Sequence, residues 1–306
     1  MFIANNEKNN LDIIEFLPKR IRKIMYFLPT EGLEEIRLRL GLPITLSYTD
    51  RCRYIKPSGE LSSGYTGCLI ASKADLIEGM ELISEASVYA LTDEIKNGYI
   101  TVGGGNRVGI CGNAVSESGK ITNINHVSGL NYRIAKEVLG AAKNIMPYVY
   151  NQSHIRNTLI ISPPQCGKTT LLRDVARSLS ELGKKVSIID ERNEISAMSD
   201  GKSGYNLGIS CDILSGASKA EGSLLMLRSM SPDVIITDEL GADEEGRVLS
   251  KIAASGVNII SSIHASSRSD LQKRAEIAAI CPFFSCFVTL SRRNGVGTVE
   301  EIYCAD

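Results

Sequence analysis

No run of apolar residues in this chain is long enough to cross a bilayer, and Met1 to Asn10 is polar rather than signal-like. Direct membrane insertion is therefore not expected, and any membrane association would come through a partner. Charge of one sign is also lacking. The formal net charge is −1 over 306 residues, which gives no global pull toward nucleic acid or anionic lipid. None of the eight cysteines falls in a CxxC pair, so the pattern is one of scattered reduced thiols, not a disulfide framework. The three histidines, His126, His154 and His264, lie far from any paired cysteines, and no zinc site is expected. Nothing resembles a Ser-His-Asp arrangement.

What is present exceeds one core. A chain of 306 residues, 43% hydrophobic and 23% charged, has two domains as its starting expectation. Leu11 to Leu28 reads as one amphipathic helix stopped by Pro29, with Ile13, Ile14, Leu17, Ile21, Ile24 and Met25 near one face. Glu35-Ile36-Arg37-Leu38-Arg39-Leu40 alternates as a strand with Ile36, Leu38 and Leu40 inward and a small basic face at Arg37 and Arg39. Ser72 is placed to cap a helix carrying Leu76, Met80, Leu82, Ile83 and Val88. Gly103 to Gly105 lies between strand-like segments with nothing helical after it, the mark of a hairpin turn and not a nucleotide loop. These elements make residues 1–136 a mostly antiparallel α+β domain, and 137–152 a linker.

From residue 153 to 306 apolar strands alternate with helices, the signature of a parallel sheet. The expected strands are Thr158 to Ile161, Val186 to Ile189, Val234 to Thr237 and Asn258 to Ser262, with a closing hairpin around Arg292-Arg293-Asn294-Gly295. In such a sheet, functional groups gather at the carboxyl ends of the strands. After the first comes Ser162-Pro163-Pro164-Gln165-Cys166-Gly167-Lys168-Thr169-Thr170, then a helical pattern. Strand, loop, Gly-Lys-Thr and helix make a phosphate-binding loop. Its backbone N–H groups would close around phosphate oxygens, Lys168 would reach the β- and γ-phosphates, and Thr169 would join a Mg²⁺ shell. Ser162 and Gln165 stand where glycines are usual, which narrows the loop's conformations.

Val234-Ile235-Ile236-Thr237 ends in Asp238-Glu239, a Walker B pattern in which Asp238 would hold Mg²⁺ through water and Glu239 would polarise the attacking water. Val186 to Ile189 ends in Asp190-Glu191-Arg192-Asn193-Glu194, a second acidic element, and the fourth strand leads to His264, placed to sense a γ-phosphate. An arginine supplied across a subunit boundary commonly completes such sites; Arg107, Arg133, Arg228 and Arg292 are the candidates.

The order of these elements resembles the secretion-ATPase superfamily that powers type II secretion and type IV pili. Within it the likeness is to the stage III sporulation AA family of endospore-forming bacteria. It is carried by Ile160 to Asp174 (IISPPQCGKTTLLRD), Val186 to Ile195 (VSIIDERNEI) and Lys219 to Glu239 (KAEGSLLMLRSMSPDVIITDE). Ser291-Arg292-Arg293, Gly297 to Ile302, Glu35 to Arg39 and Ser87 to Leu91 add to it. The resemblance implies a RecA-like P-loop ATPase domain behind a smaller α+β domain, using ATP and Mg²⁺ in a homo-hexameric ring. It also implies a mother-cell cytosolic location, at the membrane through proteins of a secretion-like channel into the forespore. Lys168 and Thr169 then bind phosphate and Mg²⁺, Asp190 and Glu191 form the acidic box, Glu239 is the Walker B glutamate and His264 the histidine-box residue. The usual acidic box reads Glu-Asp where this chain has Asp190-Glu191, so which carboxylate is the base stays open. Two other readings are a nucleotide-binding scaffold with little turnover and a nucleic-acid-remodelling ATPase. The overall charge and the absence of a long basic stretch argue against the last.

Overall fold

The computed structural model describes residues 12–84, 98–117, 119–151, 154–199, 201–240, 245–273 and 280–305. Val88 and the 87–91 motif lie outside these. By Cα packing the chain divides into two units, Met1–Glu137 with Ala197–Gly204, and Val138–Ser196 with Tyr205–Asp306.

The first unit holds β1 (Leu33–Arg39), β2 (Thr45–Tyr48), β3 (Cys52–Ile55), β4 (Leu61–Ser62), β5 (Tyr99–Val102), β6 (Asn106–Glu117) and β7 (Lys120–Arg133). They form one sheet in the order β4-β3-β2-β1-β7-β6-β5, with every pairing antiparallel. Strand alternation puts Ile36 and Leu38 of β1 in the core and leaves Arg37 and Arg39 on the other face. Leu40, expected inward, is exposed because β1 ends one residue earlier. Gly103–Gly105 is the tight turn between β5 and β6, and Gly104 takes φ +73, a left-handed conformation that glycine adopts without strain.

The helix expected over residues 11–28 is interrupted. Pro18 has no N–H to donate and sits at φ −50, ψ 139, so a new helix, Lys19–Met25, starts after it. The apolar face survives the break: Ile13, Ile14, Leu17, Ile21 and Met25 are all buried. A second helix, Lys73–Ser84, begins with a reciprocal cap in which Ser72 Oγ accepts from Asp75 N–H at 3.3 Å and Asp75 Oδ2 accepts from Ser72 N–H at 2.6 Å.

The second unit opens with a small hairpin of β8 (Tyr150–Asn151) and β9 (His154–Ile155). Its main sheet contains β10 (Thr158–Ser162), β11 (Val186–Asp190), β12 (Cys211–Ser215), β13 (Val234–Glu239), β14 (Asn258–His264), β15 (Cys286–Ser291) and β16 (Thr298–Cys304). The order is β12-β11-β13-β14-β10-β15-β16; the first six are parallel and β16 is antiparallel to β15. Strands β10, β11 and β13 are buried along nearly their whole length, which explains their near-continuous apolar sequence. Helix Lys168–Glu181 covers one face through Leu172, Val175 and Leu179, against Ile160, Ile188, Ile236 and Ile260. Met226, Leu249 and Ile252, from helices Lys219–Ser229 and Glu245–Ala254, cover the other, against Leu159, Ile161, Ile189 and Ile235.

Residues 138–151, expected as a linker, belong to this unit. Ala142, Ile145 and Val149 are in its core, and the buried Asp174 accepts from Gly140 N–H at 3.1 Å and Ala142 N–H at 2.7 Å. Strand β10 lies at the point where the chain order reverses, between β14 and β15, so the loop after it opens at the crevice where such sheets bind ligands.

Candidate functional site

The loop after β10 turns sharply and starts the helix at Lys168. Gly167, its N-cap, has φ +88, a left-handed conformation that favours glycine. Gln165 also takes a left-handed conformation, at φ +60, where an L side chain crowds the following carbonyl. The chain thus reaches its loop shape despite the missing glycine. The turn between β15 and β16 closes the outer side: Gly297 N–H donates to Cys166 O at 3.2 Å, and Arg292 Nη1 to Gln165 Oε1 at 3.4 Å.

Lys168 is 9% exposed and its ammonium is fully engaged. Nζ donates to Ser162 O and Pro163 O, both at 3.4 Å, and lies 2.7 Å from His264 Nδ1. Burial lowers the Lys168 pKa, and the charges of Glu239, Cys166 and Asp238 oppose that shift. His264 stands directly opposite Ser162 in the β10–β14 register, which explains how a residue distant in sequence meets this lysine. Its other nitrogen, Nε2, is 3.1 Å from Glu239 Oε2. With Nδ1 accepting from the lysine and Nε2–H donating to the carboxylate, the three side chains form one chain of hydrogen bonds.

Glu239 and Asp238 are adjacent, and regular strand residues point to opposite faces. Both nevertheless line the same cleft, together with Pro164, Gln165, Gly167, Lys168, Thr169, Thr170, Glu194, His264 and Val296. The register gives the reason. Ile236 pairs with Ile260 but Glu239 pairs with Ser262, so β13 carries one extra residue there. Such a bulge re-aims side chains. Ser261 Oγ faces the two displaced carbonyls, Thr237 O at 3.1 Å and Asp238 O at 2.5 Å. The cleft has a volume of about 370 Å³. Asp238 is 8% exposed, and its pKa is raised, first by burial and further by Asp190 and Glu239. A buried carboxylate held in this way favours a cation beside it.

Among the described residues no three His, Cys, Asp or Glu side chains cluster as a metal site. The donor set nonetheless fits Mg²⁺ bound with a nucleotide: Thr169 and Asp238 share the cleft, and phosphate oxygens and water would complete the shell of this oxygen-seeking ion.

The acidic element after β11 is used differently. Asp190 is fully buried and accepts four hydrogen bonds, from Glu194 N–H, Ile195 N–H, Ser196 N–H and Ser196 Oγ, at 2.6–3.1 Å. It is a loop anchor and does not line the cleft. Glu191 is also absent from the cleft wall and pairs with Lys219 at 3.3 Å. The residue this element contributes to the cleft wall is Glu194. Arg173, on the loop's own helix, donates to Glu194 O at 2.6 Å and Ile195 O at 2.8 Å and fixes its backbone. In the sequence Glu194 closes the acidic cluster that begins at Asp190, and the signal that sets it apart is its place four residues beyond the strand end. Of the four arginines, Arg292 abuts the loop. Arg228 is exposed in the last turn of its helix, and in the first unit Arg107 stacks on Tyr99 while Arg133 faces Glu35 at 3.6 Å.

A buried lysine in a glycine-capped loop, with carboxylates and a histidine from neighbouring strands, sits on an α/β fold shared with ATPases of known structure. The Legionella pneumophila ATPase DotB superposes with a TM-score of 0.56 at 16% identity, covering 90% of this chain and 76% of that one. The pilus retraction motor PilT with bound ADP gives 0.55 at 12% identity, covering 89% and 76%. The chain belongs to the family of sporulation stage III, protein AA, whose model matches residues 6–306. Stage III sporulation protein AA of Bacillus subtilis (strain 168) is 38% identical over 306 residues, 96% of this chain and 95% of its own. The uncharacterized protein ycf45 of Cyanidium caldarium is 30% identical over 162 residues, 51% of this chain and 46% of that protein.

Proposed function

We propose that this chain is an ATPase with a RecA-like core that hydrolyses ATP to ADP and phosphate in a hexameric ring. It would power a secretion-like channel between mother cell and forespore, from the mother-cell cytosol. Membrane attachment would come through partner proteins of the channel; among the described residues no helix is long and apolar enough to cross a membrane. The observation that carries the reading is the hydrogen-bonded chain Lys168–His264–Glu239 at the mouth of the phosphate-type loop. Lys168 turns from the Ser162 and Pro163 carbonyls to the β- and γ-phosphates of the nucleotide. That frees the His264 ring to turn its Nε2–H from Glu239 to the γ-phosphate, leaving Glu239 to orient the attacking water. Glu194, which also lines the cleft, would offer a second carboxylate able to accept a proton. Thr169 and Asp238 would hold Mg²⁺, which would supply charge neutralisation.

The test is ATP hydrolysis by the full chain with its membrane partners, beside Lys168→Ala. Hydrolysis that disappears in the variant is expected; bound ATP with no Lys168-dependent phosphate release would overturn the assignment. The oligomeric state with and without ATP tests the ring, and an ATP-dependent hexamer is the expected result. A second reading, a nucleotide-binding scaffold with little turnover, is favoured by the left-handed Gln165 in the loop. Single-turnover measurement on preformed assemblies separates the two, since a scaffold releases no phosphate.

A further inference from the structure

We infer that Cys286 and Cys304 are a thiol pair built to form a reversible intramolecular disulfide, which fastens the last strand of the chain to its neighbour. This goes beyond the ATPase reading and does not depend on it. Nothing in their spacing suggests a pair, yet β15 and β16 place them directly opposite each other, with Sγ atoms 3.4 Å apart.

The ladder explains why the two sulfurs meet. Ala305 N–H donates to Ser285 O, one residue outward on each strand, at 2.8 Å. In an antiparallel ladder that bond flanks a non-hydrogen-bonded pair, so Cys286 and Cys304 occupy the narrow type of site. There opposed Cα atoms are about 4.5 Å apart, inside the range a disulfide spans, whereas the hydrogen-bonded sites on either side are wider.

Exposure orders the chemistry. Cys286 is fully buried and its thiol pKa is pushed up by burial, whereas Cys304 is partly exposed. Cys304, as thiolate, attacks one sulfur of a small-molecule disulfide; its S–S bond breaks and one thiolate leaves, taking a proton from water. Cys286 then loses its proton and attacks the Cys304 sulfur of the mixed disulfide, expelling the second small thiol. Two protein thiols are oxidised and one small disulfide is reduced to two thiols.

The location gives the bond a purpose. Strand β16 is the edge of the sheet and its one antiparallel member, held on a single side by β15. The turn that joins them carries Gly297 and Arg292, which touch the loop around Lys168. The bridge closes the far end of that hairpin and holds the loop's outer wall to the sheet.

The experiment treats the folded full-length protein with oxidised glutathione. It reads intact mass, peptide mapping without reduction, and the thermal unfolding midpoint before and after dithiothreitol. The expected product has lost two hydrogens, links the peptides containing Cys286 and Cys304, and reverts on reduction. Its unfolding midpoint rises by roughly 5 °C, because the bridge constrains the unfolded chain. Cys286→Ser should stop at a glutathione adduct on Cys304, and Cys304→Ser should form neither bridge nor adduct at Cys286. Glutathione adducts in the wild type without a bridge, or a bridge through any other cysteine, would overturn the inference. Since each serine variant is compared by its adduct rather than its stability, a destabilised variant still gives an answer.

Discussion

Strands β11 and β13 end alike on the page, Ile188-Ile189-Asp190-Glu191 and Ile236-Thr237-Asp238-Glu239, and differently in space. At β11 the aspartate turns inward and accepts four hydrogen bonds from the loop beyond, and the glutamate goes out to Lys219. At β13 a bulge swings both carboxylates into the cleft, where the glutamate meets His264. A carboxylate that lines an open cleft stays available for chemistry even when, as at Asp238, a backbone N–H reaches it. One buried with both oxygens satisfied, as at Asp190, is part of the scaffold.

Four substitutions sharpen this contrast. Glu239→Gln keeps shape and removes charge; hydrolysis should fall about a thousand-fold with nucleotide binding retained, as losing a positioned base does, read by phosphate release against equilibrium binding. Asp190→Asn should instead cost stability. An amide NH₂ would face N–H donors in a buried site, at a cost of about 3 kcal/mol in denaturant unfolding, and hydrolysis would drop through the displaced Glu194.

Asp238→Asn has the opposite sign. The Asp238 pKa is raised in the fold by burial, so the native state holds this proton more tightly than the unfolded chain. As pH rises from the ordinary carboxylate range through that raised value, the proton is lost and stability falls. Without Mg²⁺ the Asn variant should therefore unfold at a slightly higher temperature at neutral pH, and the gain should shrink as pH is lowered. A gain that persisted unchanged in acid would show that Asp238 does not carry the buried charge. Glu191→Ala should do least: its ion pair is 42% exposed on the glutamate side, and such pairs contribute about 0.5 kcal/mol or less. A large loss of turnover in this variant would restore Glu191 to the chemistry.

Much of the second unit was legible because burial on both faces writes itself as apolar runs: β10, β11, β13 and β14 all fell where those runs lie. Strand β12 was missed because Cys211-Asp212-Ile213-Leu214-Ser215 is half-buried throughout and shows neither a run nor an alternation. The helix break at Pro18 was missed because apolar spacing continued across it. Lys168, Thr169, Asp238, Glu239 and His264 could be assembled from strand ends, and the cleft brings them together. What spacing could not give was the path of the loop from Asp190 to Ser196, which decides that Glu194 and not Glu191 lines the cleft. The bulge in β13 was equally silent, since it is a matter of pairing between strands far apart in sequence.

Residues Ala197–Gly204 belong with the first unit although they are encoded between two strands of the second. Gly204 lies so close to the Gly105 backbone that no side chain fits between them. In the order of synthesis, the first unit therefore emerges incomplete and receives its last piece only after β10 and β11 have been made. A protease cut or a gene boundary placed at residue 137 would separate the two sequences without separating the two units.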